Sequence, residues 1–245
     1  MKHLTLAAAL LCATAIAPTA YAEDAELSIS TGVDFVSQYV FRGVSLADDA
    51  VQPYVEASYG NFTVGGWFST AIGENSIFAG DEFDLYVGYS VPLDSSISLD
   101  LGATYYHYPQ GGDFFATEDG AAGTYEVSAA VGFGDVPLAP SVTAYYDFTL
   151  EAFTLEGGVG HSVAIGDAQS LDLGLTVGLV DGDGFSYEYG QASAAVSHAF
   201  TDDVAAYVGA NFALNSEDVL DFDSILNGDP KGSMFWLGTG ISAGF

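Results

Sequence analysis

Large apolar side chains recur at every second position through most of this chain. Leu171, Leu173, Leu175, Val177 and Leu179 alternate with Asp172, Gly174, Thr176 and Gly178. Ile97, Leu99, Leu101, Ala103 and Tyr105 alternate with Ser98, Asp100, Gly102, Thr104 and Tyr106. Phe83, Leu85, Val87, Tyr89 and Val91 alternate with Asp84, Tyr86, Gly88 and Ser90. A period of two marks extended strands, whose successive side chains point to opposite faces. Each segment therefore has one bulky apolar face and one small or polar face. The pattern predicts twelve strands, near 27–42, 51–59, 62–71, 83–92, 97–108, 124–134, 139–149, 153–165, 171–180, 187–199, 204–214 and 233–245, with no helix and no domain linker.

The connections add a second regularity. The first, third, fifth and eleventh (Gly43 to Ala50, Ile72 to Glu82, Pro109 to Gly123, Asn215 to Gly232) are long and acidic. The even-numbered ones (Gly60-Asn61, Leu93 to Ser96, Pro137-Leu138, Gly166 to Ser170, Thr201 to Asp203) are short, and the seventh, near Leu150 to Ala152, is short as well. An even strand count, with long loops on one rim and tight turns on the other, is the layout of outer-membrane barrels. A soluble β-sandwich also alternates apolar and polar residues. Its core, however, sets bulk against bulk, whereas the second face here is mostly Gly, Ser, Thr and Ala with scattered acids. Most segments also reach the ~9–11 residues that a tilted strand needs to cross a bilayer. The expected fold is all-β, a closed antiparallel transmembrane β-barrel of about twelve strands.

If the bulky faces meet lipid, the other faces line a lumen. Asp34, Glu56, Asp84, Asp100, Glu126, Asp147, Glu156 and Asp172 all fall on that second face. An ionised carboxylate facing hydrocarbon is costly and one in a wet lumen is not. Registers set from apolar residues alone thus place the acids where the physics wants them. Arg42, the one basic residue in any expected strand, shares the inner face with Asp34 and Gln38, and an acid such as Glu56 is its expected partner, since buried charges need partners. Tyr54, Trp67, Tyr86, Tyr106, Tyr145 and Tyr207 are the expected lumenal aromatics, filling space or stacking on a solute.

Charge sharpens this picture. The 245-residue chain carries 33 acidic and 3 basic residues, a formal net charge of -30. No basic surface exists to neutralise phosphates, which excludes nucleic-acid binding. Rings of Asp and Glu favour cations over anions. The composition is 49% hydrophobic and 14% aromatic, too apolar for a disordered acidic chain.

The first 22 residues read as a secretory signal peptide: Lys2 and His3, an apolar run from Leu4 to Ala17, and a small-x-small cleavage site at Ala20-Tyr21-Ala22. Its removal leaves a barrel over 23–245 with Arg42 and Lys231 as its basic residues. Cys12, the single cysteine, lies in that signal, so the mature chain has neither disulfide nor thiolate chemistry.

Other chemistry is thin. His161 and Ser162 are adjacent, so on a strand they point apart and cannot form a nucleophile–base pair. His107 and His198 are expected at the membrane interface and the short-turn rim. Asp181-Gly-Asp183-Gly shares the opening spacing of a calcium loop but lacks the other ligand positions. Glu217, Asp218, Asp221, Asp223 and Asp229 crowd the loop 215–230, and solvated acidic loops are the expectation there, since a divalent site needs several converging oxygens. No catalytic residue, metal or cofactor is expected.

Two stretches resemble known membrane proteins. The last strand alternates Phe235, Leu237, Thr239, Ile241 and Ala243 with Trp236, Gly238, Gly240, Ser242 and Gly244 and closes on Phe245. It resembles the terminal signal by which barrel-assembly machinery recognises its clients, which implies that machinery as a partner. The segment Val36-Ser37-Gln38-Tyr39-Val40-Phe41-Arg42-Gly43-Val44-Ser45, followed by Gln52-Pro53 and Gly65-Gly66-Trp67-Phe68-Ser69, resembles the opening of the TorF family of bacterial porin-like proteins. In that family the Gln/Pro pair differs in order and spacing. The resemblance implies an outer-membrane pore and no particular substrate. The expectation is therefore a porin-like protein of the cell outer membrane of a Gram-negative bacterium, surrounded by lipid and lipopolysaccharide. It would pass small cationic or neutral solutes by passive diffusion. The alternative is a plugged structural or interaction barrel without transport. An outer-membrane lipid-modifying enzyme would need a catalytic cluster at the outer rim, which the residues do not supply.

Overall fold

A computed structural model describes residues 26–72, 81–93, 96–116, 123–218 and 231–245. The expected signal peptide, residues 73–80 and 117–122, and Asp221, Asp223 and Asp229 lie outside the described residues. Twelve strands form: β1 Leu27–Phe41, β2 Val44–Tyr59, β3 Phe62–Ala71, β4 Asp81–Ser90, β5 Ile97–His107, β6 Gly123–Phe133, β7 Ser141–Asp147, β8 Ala152–Ala164, β9 Gln169–Gly182, β10 Phe185–Ala199, β11 Val204–Asn215 and β12 Ser233–Gly244. A 3-10 turn, Pro109–Gly111, follows β5.

Each strand pairs antiparallel with its sequence neighbours, and β1 pairs with β12 to close the barrel. The closing seam reaches Phe245, which exchanges both backbone hydrogen bonds with Ile29 at 3.1 and 2.8 Å. Closure leaves no sheet edge, so the wall satisfies its own backbone groups, as a bilayer requires. No helix among the described residues is long and apolar enough to cross a membrane; the strands would do so.

The outer surface is the bulky set of the sequence pattern. Phe35 on β1, Val55 on β2, Leu101 on β5, Leu175 on β9 and Leu237 on β12 are all exposed. Leu173 and Leu175, which a sandwich would have enclosed, face outward. The inner surface buries polar side chains instead, among them Gln52, Thr63, Asp84, Asp100, Glu126, Thr176, Gln191 and Asn211. This inversion of the usual soluble pattern is what a lipid-facing barrel requires.

The first connection differs from expectation. Residues 43–50 are not a long loop: β1 and β2 continue pairing to Phe41↔Val44, leaving only Arg42-Gly43 as a turn. Both turn residues have positive φ, 46° and 75°, the backbone that a two-residue I′ hairpin turn demands. The β9–β10 connection is equally tight, with Gly182 paired to Phe185. Asp181-Gly-Asp183-Gly therefore forms a hairpin end.

The β1–β2 hairpin also outruns its neighbours. Pairing of β1 with β12 stops at Val36↔Gly238, and pairing of β2 with β3 stops at Ala50↔Ala71. Between these limits, residues 37–48 pair in ladders only with each other, Asp49 still accepts from the Ile72 N–H at 2.6 Å, and the register shifts at Tyr39/Val40. A bulge of this kind bends a ribbon and increases its twist. Here the free end of the hairpin folds inward at the rim that carries the β3–β4, β5–β6 and β11–β12 loops. Val40 packs against Ala213 of β11 and Trp236 of β12, and Tyr39 packs against Trp67 of β3.

Candidate functional site

The inner face is organised by hydrogen bonds to carboxylates. Tyr207 on β11 donates to Asp34 on β1 at 2.8 Å, Tyr86 on β4 donates to Glu56 on β2 at 3.0 Å, and Tyr189 on β10 donates to Glu156 on β8. In each case one strand lies between donor and acceptor. In each case that strand presents a glycine at the intervening position: Gly240, Gly65 and Gly178. A Cβ at Gly240 would collide with both Asp34 and the Tyr207 ring. Small inner residues are thus the gaps through which long phenols reach across a strand.

The other inner acids find different partners. Asp100 accepts from Ser90 at 2.6 Å. Asp172 accepts from Ser162, Ser170 and Ser197 at 2.6, 3.0 and 2.7 Å. Asp147 caps its own turn, accepting from the backbone N–H groups of Thr149 and Leu150 at 2.8 and 2.7 Å. Glu126 accepts from Tyr106 at 3.0 Å and forms a two-pronged ion pair with Arg42 at 2.6 and 2.9 Å.

Arg42 thus pairs with one of the inner-face acids, but with Glu126 on β6 and not with Glu56 on the adjacent strand. Because the hairpin leaves the wall, its tip crosses to β6, five strands away around the barrel. The guanidinium lies over the Tyr145 ring of β7 at 3.9 Å and over Phe41 at 4.7 Å. Phe41 in turn packs on Tyr106 at 6.0 Å between centroids. Contacts between non-adjacent walls pass only through the interior, so the hairpin occupies the mouth of the barrel.

The segments behind the porin-like resemblance come together here. Val36 to Ser45 forms most of the inward hairpin. Tyr39 contacts Trp67 with ring centroids 5.4 Å apart, and Gln52 donates to Ser69 at 3.3 Å. The motif is thus a hairpin and the wall positions that hold it.

One acid stands apart. Asp84 on β4 is 8% exposed, and its Oδ1 has no hydrogen-bond partner among the described residues. In register it lies between Trp67 on β3 and Tyr106 on β5. Beside it along β4, Glu82 accepts from Tyr108 at 3.2 Å and from Tyr39 of the hairpin. Tyr108 follows the end of β5, and burial, reinforced by the carboxylates of Glu82 and Asp84, pushes its phenol well above its ordinary range.

The sequence reading missed several inner residues. The apolar alternation places Glu82 in a loop, whereas β4 starts two residues earlier, at Asp81. Tyr189 shares parity with Gln191 on a strand whose other face carries Val196, so strict counting would have found it. Tyr39 has the parity of the outward Phe35 and could not be found that way, since the inward fold of the hairpin packs it with Ala47, Ala50 and Trp67. All six expected lumenal aromatics have inner-face parity. The three histidines of 26–245 sit on the outward face. His107 is packed under Phe114 with ring centroids 4.6 Å apart, and His198 packs on Phe200 at 4.7 Å. No group of three or more His, Cys, Asp or Glu among the described residues is arranged to hold a metal ion.

Residues 20–148, more than half of the chain, match the model of a family described as bacterial protein of unknown function (Gcw_chp). No curated protein sequence matches the chain. Among solved structures, a KdgM porin in complex with disordered oligogalacturonate is similar with a TM-score of 0.56 and 10% identity, over 89% of this chain and 99% of that one. The NanC porin is similar with a TM-score of 0.53 and 12% identity, over 89% of this chain and 99% of that one. The shared feature is the porin-like barrel fold.

Proposed function

Given that the chain belongs to the Gcw_chp family of bacterial proteins of unknown function, we propose that it is an outer-membrane channel for small solutes, favouring cationic or neutral molecules, and that it has no catalytic role. The observation that carries this reading is the inner face: a closed twelve-stranded wall that turns its carboxylates inward and offers them one described interior cation, Arg42. Such a lining attracts cations and repels anions. The polyanionic oligogalacturonate named with the KdgM porin would meet an unfavourable field here. Kinship with the TorF porins is the finer form of the same reading and rests on the hairpin motif.

The test is the reversal potential of the protein in planar bilayers under a salt gradient. Cation selectivity is expected, and anion selectivity would overturn the proposal.

A second reading has its own support. Residues 37–49 sit inside the mouth, with Tyr39, Val40 and Ala47 buried, an arrangement that also suits a plugged structural barrel. Liposome swelling separates the two, because a fixed plug admits no solute.

A further inference from the structure

We propose that the inner wall formed by β4, β5 and β6 is a binding site for short aliphatic cations bearing guanidinium or primary amine groups, with Asp84 as the primary acceptor and Arg42 as a built-in competitor. The inference deepens the channel reading and rests on it for its physiological meaning, although binding itself needs no conduction.

Three observations converge. Every other acid expected to line the lumen has an assigned hydrogen-bond partner: phenols for Asp34, Glu56 and Glu156, serines for Asp100 and Asp172, backbone N–H groups for Asp147, and Arg42 with Tyr106 for Glu126. Among the described residues, Asp84 alone of this set keeps a buried oxygen without one. A buried carboxylate oxygen without a donor is costly, and an incoming N–H donor would relieve that cost.

The wall already displays its preferred guest. The Arg42 guanidinium makes a two-pronged pair with Glu126 and lies 3.9 Å from the Tyr145 ring centre. This is the geometry by which carboxylates and aromatic rings select a planar cation. Arg42 is carried on a hairpin tip whose ladder bonds stop at its own two strands, so it is a tethered ligand as much as a structural residue.

Spacing then favours a dication. Asp84 on β4 and Glu126 on β6 are separated by one strand, and the Tyr106 that stands opposite Asp84 donates to Glu126. A short chain with a cation at each end can meet Asp84 with one and compete with Arg42 for Glu126 with the other. A zwitterion or an anion would bring a carboxylate against Glu82 and is disfavoured.

The test uses the folded full-length barrel in detergent micelles, titrated with agmatine by isothermal calorimetry. Saturable binding is expected. Asp84→Asn should weaken it at least tenfold, Arg42→Gln should tighten it several-fold by freeing Glu126, and Glu151→Gln, in an exposed turn, should leave it unchanged. Tetramethylammonium, which has no N–H to donate, should not compete. Absence of saturable binding, or equal affinity in wild type and Asp84→Asn, would overturn the proposal. If Asp84→Asn does not fold, as judged by heat-modifiable migration, Arg42→Gln decides: unchanged affinity there would overturn it. Planar-bilayer recording of the same preparation separates the two readings. Binding without conductance removes the channel and keeps the site, and conductance without binding does the reverse.

Discussion

Tyr207 donates to Asp34 at 2.8 Å although β12 lies between their strands. The contact exists because Gly240 occupies the intervening inner position and leaves the phenol a path. Gly240→Ala should therefore do two kinds of damage, breaking the bond and forcing the Tyr207 ring aside. Tyr207→Phe removes only the bond. A hydrogen bond to a charged acceptor contributes about 1.5–3 kcal/mol, and forced overpacking adds roughly 1–3 kcal/mol. Urea unfolding in lipid vesicles should rank Gly240→Ala as more destabilising than Tyr207→Phe. The reverse order would show that the ring has another route.

Arg42 and Glu126 tie the hairpin to the far wall. Their side chains are 11% and 5% exposed, so removing one partner strands the other. For a buried pair that penalty is about 3–5 kcal/mol. Arg42→Gln or Glu126→Gln alone should destabilise the barrel toward the lower end of that range, since the interior is polar. The double variant should recover most of the loss, because neither charge is then left alone. A double-mutant cycle with additive losses would show that the two residues act independently.

The inversion of bulk and polarity makes a further expectation. Leu175 lies mid-strand on β9 and faces outward, where an Arg would enter hydrocarbon at a cost of about 2–4 kcal/mol. Ser98 lies on the inner face of β5, two residues from Asp100, where a Lys would find water and a carboxylate. Leu175→Arg should cost several-fold more unfolding free energy than Ser98→Lys when both are measured in vesicles. Equal costs would mean that the outer band does not contact lipid.

Much of this architecture was legible in the sequence because a barrel wall obeys one rule at every step. Alternation along Leu171 to Leu179 fixes which way Asp172 points, and each strand repeats the lesson independently. The rule fails where the backbone leaves the wall. Tyr39 has outward parity and lies inside, and Arg42 meets Glu126 instead of Glu56, because a register shift and an unpaired hairpin end turn residues 37–49 inward. Parity contains no information about such a fold-back. The acid–glycine–tyrosine relays were equally hidden, since they depend on three strands whose relative registers no single segment reveals. Their ingredients, an inner glycine flanked in space by a tyrosine and an acid, become visible only once the strands are paired.

The hairpin's mobility decides between channel and plug, and the sequence offers a clean way to test it. The one cysteine, Cys12, precedes the described barrel, so a pair introduced into the wall will find only itself. Val40 on the hairpin packs against Ala213 on β11 in a buried cluster with Trp236. Neighbouring side chains of this kind suit a disulfide, whose Cβ atoms must approach to about 3.5–4.5 Å. In the double variant Val40→Cys/Ala213→Cys, oxidation should fasten the hairpin to the wall and lower single-channel conductance several-fold relative to the reduced protein. Reductant should restore it, and the single variants should not respond. Identical conductance in both redox states, with the bond verified by mass spectrometry, would mean that solute passes beside a hairpin that never moves. Absence of conductance in either state, with wild type also silent, would mean that residues 37–49 are a fixed plug.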